Sequence, residues 1–116
     1  MANRTSFETE YVVKGDRDVT IDVTFGNGQF GTSVLRVDRK ILNIGELDEF
    51  VVGRGSTLRG HALGLKSIVT DVNDKTNKVS VSYVIDGGAQ PLAFGLEGEV
   101  ENEGDSERYN VVINLK

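Results

Sequence analysis

The chain has 116 residues, a formal net charge of −5 and no cysteine. This length fits one domain of about 100 to 200 residues, and the missing cysteine excludes disulfides, a thiol nucleophile and a thiolate zinc site. The net negative charge argues against nucleic-acid binding. With no secretory signal and no apolar run long enough to span a bilayer, we expect a cytoplasmic protein with no membrane insertion.

Apolar side chains recur at alternate positions along most of the chain, which is typical of half-buried β-strands. We predict an all-β fold, a single antiparallel β-sandwich of about seven to nine strands in one domain over residues 1–116, with residues 1–5 a disordered tail. A barrel is the alternative. The predicted strands cover residues 7–13, 19–25, 32–38, 40–44, 50–52, 63–72, 78–85, 92–100 and 109–115.

The connections are rich in glycine, asparagine and aspartate, the residues that favour turns. We predict a hairpin loop over residues 26–31 and a second hairpin that joins residues 63–72 to 78–85. A bulge or bend is expected at Asp38 and Arg39, where the apolar alternation changes phase. Residues 54–57 are expected to form a mobile loop.

The segment Asp105-Ser106-Glu107-Arg108-Tyr109-Asn110-Val111 resembles the tyrosine corner of immunoglobulin-like domains. Tyr109 follows Asp105 by four residues and precedes Val111, a residue expected to be buried, by two. The resemblance covers only these seven residues, and the chain has neither a cysteine pair nor a tryptophan. It implies a Greek-key or immunoglobulin-like arrangement of the sandwich.

Residues 53–67 hold several glycines around the only histidine, His61. A nucleotide P-loop is excluded because Leu65 separates the last glycine from Lys66, and because a strand is expected to follow. No Gly-x-Ser-x-Gly elbow accompanies His61, so a catalytic role has no supporting motif. We therefore treat Arg54, Arg59 and His61 as a candidate binding surface.

Six carboxylates stand at every second position near the C-terminus. If one strand continued through them, all would project from the same face, and a bound cation or a basic partner would relieve their repulsion. Oxygen ligands suit calcium, and Glu101, Glu103 and Asp105 are the candidate ligands. The simpler interpretation is the solvent face of a strand. The six residues are Glu97, Glu99, Glu101, Glu103, Asp105 and Glu107.

These patterns predict a function without catalysis. We expect an interaction or structural module that binds a protein partner or self-associates and forms one subunit of a larger assembly. We expect no cofactor. The alternative is a domain that binds calcium or a polar small molecule such as a sugar through its acidic and glycine-rich loops. An enzyme that uses His61 with Arg54 or Arg59 has the least support.

Overall fold

Strands make up 64% of the chain and helix 4%, in agreement with the period-two apolar pattern. The structure, a computed structural model, describes residues 3–116, with residues 3 and 4 described in their backbone only. Within that range the strands are β1 (Asn3–Tyr11), β2 (Asp18–Phe25), β3 (Phe30–Val37), β4 (Lys40–Gly45), β5 (Phe50–Arg54), β6 (Ala62–Thr70), β7 (Lys78–Asp86), β8 (Leu92–Glu99) and β9 (Ser106–Leu115), with one helical turn, α1 (Gly55–Leu58).

The strands form two sheets that pack face to face. One sheet has five strands in the order β1-β9-β6-β3-β4, and the other has four in the order β5-β2-β7-β8. Neighbouring strands are antiparallel except for β1 and β9, which are parallel. The predicted all-β sandwich is confirmed, with this parallel pair as an exception to the predicted antiparallel order.

The core fills the space between the sheets, where each strand contributes one of its two faces. In β7, for example, Val79, Val81, Tyr83 and Ile85 are almost completely buried, while the residues between them are exposed or half-buried. The rings of Tyr83 on β7 and Phe7 on β1 both pack against Phe94 of β8. Contact between Phe7 and Phe94 therefore joins the two sheets near one edge of the sandwich.

The N-terminal prediction is corrected in part. Residues 1 and 2 of the predicted tail lie outside the described residues. Asn3, Arg4 and Thr5 belong to β1, where their backbones pair in register with residues 107–109 of β9. The predicted tail is therefore wrong for these three residues, since pairing with β9 satisfies their backbone groups.

Both predicted hairpins are wrong in the same way. Strands β6 and β7 lie in different sheets, and residues 71–77 pass from one sheet to the other. Residues 26–29 likewise connect β2 to β3 across the sandwich. Two strands that face each other across a core need the same apolar alternation as two strands paired side by side, so the pattern cannot distinguish these connections.

The predicted loop over residues 54–57 instead contains the helical turn α1, whose Leu58 is buried. The bend predicted at Asp38 and Arg39 is a tight turn between β3 and β4, with Asp38 at φ 53°. The register shift of that pair lies between Leu35 and Arg36. Within residues 3–116, no helix is long and apolar enough to cross a membrane.

Candidate interaction faces

The two arginines of the predicted binding surface are held by separate groups of the chain itself. Arg54 ends β5, and its Nε lies 3.3 Å from an oxygen of Asp18 while its Nη1 donates to the carbonyl of Asp16 at 2.9 Å. Arg59 donates from Nη2 to the carbonyl of Val13 at 3.3 Å. Both side chains therefore secure the segment around α1 to the turn that precedes β2.

His61 has a different partner, the turn between β3 and β4. Its Nδ1 lies 2.5 Å from Oδ2 of Asp38, and the N–H of Ala62 donates to Oδ1 of the same carboxylate at 3.1 Å. The hydrogen bond from His61, followed by that from Ala62, lowers the pKa of Asp38. About half of each side chain is exposed. Arg54, Arg59 and His61 thus do not share one contact network.

The acidic stretch is divided among three environments. Strand β8 ends at Glu99, and Glu101 and Glu103 are exposed in the turn that follows. Asp105 accepts the N–H of Asn102 at 3.1 Å. Over residues 3–116, no group of three or more carboxylate, histidine or cysteine side chains could hold a metal ion. Glu101, Glu103 and Asp105 therefore do not form an assembled calcium site.

A cluster of positive charge lies on the outer side of the five-stranded sheet. Arg36 on β3, Lys66 on β6 and Arg108 on β9 occupy positions between buried neighbours, so their side chains point away from the core. In the strand register, Lys66 pairs with Asn110, and Arg108 and Arg36 lie one diagonal step to either side. We call this surface, defined by Arg36, Lys66, Arg108 and Asn110, the basic face.

The spacing of these cations follows from sheet geometry. Neighbouring strands lie about 4.8 Å apart and residues rise about 3.3 Å each, so one diagonal step is about 8 Å and the row from Arg36 to Arg108 spans about 16 Å. Two depressions lie beside the row. One, of about 170 Å³, is lined by Lys66, Ile68, Arg108 and Asn110 among others. The second, of about 160 Å³, lies around Gly64.

The cations of the basic face lack acidic partners. Among the described residues, ion pairs join Arg54, His61 and Lys116 to carboxylates, and none involves Arg36, Lys66 or Arg108. The Nε of Arg36 is also buried without a hydrogen-bond partner. Asp38 lines the depression beside Arg36 and Lys66, but its carboxylate bonds to His61 and Ala62. Three positive charges outside these ion pairs, on a chain of net charge −5, create a local field that favours an anionic group.

The outer side of the four-stranded sheet carries the opposite charge. Asp22 on β2, Asp86 on β7, and Glu97 and Glu99 on β8 alternate with buried or half-buried residues and point outward. Lys78, which pairs with Glu99 in the register, is a cation on the same side. We call this surface, defined by Asp22, Asp86, Glu97 and Glu99, the acidic face.

The acidic face also contains a depression, of about 560 Å³. Its lining combines Glu97 and Glu99 with Lys78 and with Asn27 from the connection between β2 and β3. Asn27 is held there because its side-chain amide donates to the hydroxyl of Ser80 at 3.2 Å. The depression therefore brings the glycine-rich connection over residues 26–29 next to the acidic strand.

Two carboxylates are buried, Asp71 near the end of the predicted strand 63–72 and Glu107 of the acidic stretch. Asp71 is 1% exposed and Glu107 is 5% exposed, and both oxygens of Asp71 and Oε2 of Glu107 lack hydrogen-bond partners within the part of the chain that the structure describes. The apolar alternation could have predicted this burial. Asp71 continues the inward row of β6, and Glu107 stands two residues before Tyr109, an inward residue of β9. Burial raises the pKa of Glu107.

Tyr109 does not form the corner implied by the immunoglobulin resemblance. Its hydroxyl is buried without a hydrogen-bond partner among the described residues, whereas a tyrosine corner bonds to the backbone a few residues upstream. Burial, followed by the charge of Glu107, raises the pKa of Tyr109. The resemblance therefore ends at the residue spacing.

No protein-family model, curated protein or solved structure matches this chain in the three comparisons made.

Proposed function

We propose that this protein is a non-catalytic interaction module whose basic face binds an acidic surface of a protein partner. One observation carries the proposal: Arg36, Lys66 and Arg108 form a row without ion-pair partners among the described residues, beside two depressions on an otherwise acidic chain. The sheet fixes the backbone positions of these charges, so complementary charges on a partner can meet all three at once. Ordering each long side chain on binding costs about 0.5–1.5 kcal/mol.

A protein partner is favoured over a nucleic acid. A nucleic-acid site needs a continuous basic surface that follows a phosphate backbone. Here three cations span about 16 Å, and the opposite sheet presents Asp22, Asp86, Glu97 and Glu99. A partner with a few carboxylates at matching positions fits this limited charge better than a polyanion does.

The surroundings of His61 support a role without catalysis. A general base needs a nucleophile or substrate within hydrogen-bond reach. Among the described residues, the side-chain partner of His61 is Asp38. The hydroxyl of Ser67 is buried and bonds to those of Ser33 and Tyr83 at 2.8 Å each, so it is unavailable to His61.

Amide NMR during titration with a hexaglutamate peptide tests this proposal. We expect shifts centred on Lys66, Arg108 and Asn110, and at least a tenfold loss of affinity in the K66E/R108E variant. The K14E/K75E variant makes the same change in net charge at two exposed lysines outside the basic face and is expected to bind like the unmodified chain. Equal loss in both variants, or tighter binding of a single-stranded oligonucleotide, would overturn the proposal.

A polar small molecule is the second candidate ligand, and the depression on the acidic face favours it. Asn27, Glu97 and Glu99 supply amide and carboxylate groups of the kind that bind sugar hydroxyls, at the junction of the glycine-rich connection and the acidic strand. Titration with glucose should shift the amides of residues 27 and 97–99 if this function is present. The absence of shifts there would exclude a sugar at that depression.

A further inference from the structure

We infer that the acidic surface recognised by the basic face is the acidic face of a second copy of this chain, so that copies stack face to back. This inference rests on the proposed function and names its partner. The two faces are the outer sides of the two packed sheets, and they therefore point in opposite directions from one molecule. Each copy can thus present a basic face to one neighbour and an acidic face to the other.

The charges on the two faces have matching spacing. From Arg36 to Arg108 the displacement is two strands across and four residues along the sheet. From Glu97 to Asp22 it is also two strands across and four residues along. Both separations are about 16 Å by sheet geometry, so both end pairs can form at once.

The middle of each row is compatible as well. Lys66 lies halfway between Arg36 and Arg108, and Ser82 lies halfway between Glu97 and Asp22 in the register. When the ends of the rows meet, the lysine ammonium faces a hydroxyl that can accept a hydrogen bond. No like charge opposes Lys66 in this arrangement.

The shapes of the faces permit close approach. On the acidic face the positions around Ser82 are small, since Thr24 and Gly95 are its cross-strand neighbours. Each face also exposes an aliphatic side chain, Ile68 on the basic side and Val84 on the acidic side, both 38% exposed. Contact between them would add apolar burial to the charge pairs.

Contact between two different faces has a structural consequence. A face that binds its own kind gives a closed dimer, whereas a head-to-tail contact leaves one free face at each end. Stacks of copies should therefore lengthen with concentration. Because the pairing is electrostatic at exposed or half-buried positions, added salt should shorten the stacks, since the screening length falls from about 30 Å at 0.01 M to about 10 Å at 0.1 M.

Sedimentation velocity of the full chain across a concentration series tests the inference. In about 20 mM NaCl we expect a weight-average mass that rises with concentration, and in about 500 mM NaCl a mass close to that of the 12.6 kDa monomer. A monomer at every concentration in low salt would overturn the stacking inference. Retained binding of the hexaglutamate peptide in that case would leave the proposed function standing.

Charge reversal and mixing identify the faces. K66E/R108E gives a chain with two acidic faces, and E97K/E99K gives one whose former acidic face is basic. Each alone should need at least tenfold higher concentration to associate, and an equimolar mixture should associate again. The controls K14E/K75E and D74K/E103K carry the same net charges at exposed positions elsewhere and should stack normally. Failure of the mixture to associate, or equal loss in the controls, would overturn the inference.

Discussion

The same two strands line two different halves of the interior. At one end, Leu63 and Leu65 of β6 pair with Ile113 and Val111 of β9, and this half is apolar. Toward the other end, the inward partners are Ser67 with Tyr109, and Val69 with Glu107. Both halves exclude water, since the inward residues are at most 5% exposed. The difference is therefore one of chemistry and not of burial.

The apolar half needs only packing, whereas the polar half depends on hydrogen bonds. Ser67 bonds to Ser33 and receives a bond from Tyr83, which joins the two sheets through hydroxyl groups. Oε2 of Glu107 and the hydroxyl of Tyr109 lack such partners. A buried polar atom without a partner costs about 1–3 kcal/mol, so this half combines stabilising bonds with unsatisfied groups. Substitutions there should have larger and more varied effects than in the apolar half.

The largest loss of stability is expected from substitution of Gln29, which lies at the end of the polar half. Its Oε1 accepts the N–H groups of Val72 and Asn73 at 2.8 Å each, and its Nε2 donates to the carbonyls of Thr76 and Lys78 at 3.1 and 3.0 Å. Gln29→Ala removes all four bonds at a buried position and should lower the free energy of unfolding by about 3 kcal/mol or more. Urea denaturation followed by circular dichroism measures this.

The matched control is Gln90→Ala, at an exposed position in the turn between β7 and β8. It should change the free energy of unfolding by less than about 0.5 kcal/mol. If the two variants were equally stable, residues 71–77 would be held by something other than Gln29.

Gln29 also shows why the sequence could not predict which strands share a sheet. Strand positions and inward faces follow from alternation, and β2, β7 and β9 were predicted within one to three residues of their observed ends. Whether 71–77 turns back within a sheet or crosses the core is decided by bonds to Gln29, more than 40 residues away. No local pattern encodes that distance.

Prediction of the two interaction faces was limited in the same way, because strand order could not be read from the sequence. Arg36 and Lys66 stand within predicted strands and Arg108 directly before one, but only the strand order places them on one surface. Glu107 is the opposite case, because the alternation of β9 places it inward and its charge led us to group it with exposed carboxylates. The periodicity was the better guide for this residue.

A second prediction concerns the contact that covers Glu107. A Cβ on Gly98 of β8 would lie 2.0 Å from Oε2 of Glu107, so this position has no room for a side chain. Gly98→Ala should destabilise the fold by about 2 kcal/mol through overpacking. In a Glu107→Ala background most of this loss should disappear, because the obstructing carboxylate is gone.

The double-mutant cycle is read from urea denaturation of the four proteins. Gly95→Ala on the same strand is the control, since its added Cβ would meet ordinary contacts of 3.6 Å or more. Additive effects of Gly98→Ala and Glu107→Ala would show that the two residues do not compete for the same space.

A smaller effect with a distinct pH dependence is expected from Glu107→Gln. Burial raises the pKa of Glu107, so the folded state binds this proton more tightly than the unfolded state, whose pKa is about 4.3. The contribution of protonated Glu107 to the free energy of unfolding is therefore fully present below the unfolded pKa and is lost as pH rises through the folded pKa. The Gln variant should melt higher than the unmodified chain at pH 7, and the gap should narrow at pH 4. Glu97→Gln, at an exposed position, should leave the pH profile unchanged.

Ionisation of the tyrosine hydroxyls should have the smallest effect on stability at neutral pH and should destabilise the fold only above pH 10. Burial raises the pKa of Tyr11, Tyr83 and Tyr109, that of Tyr83 to about 12, and these are the three tyrosines of the chain. The phenolate absorbance should thus stay low at pH 10 in the folded protein and titrate near pH 10 in about 8 M urea. Because each folded pKa exceeds the unfolded value, stability is lost as pH rises above 10. A phenolate that forms at pH 10 while circular dichroism still shows the native fold would mean that one of these rings, including the two in the polar half, reaches solvent.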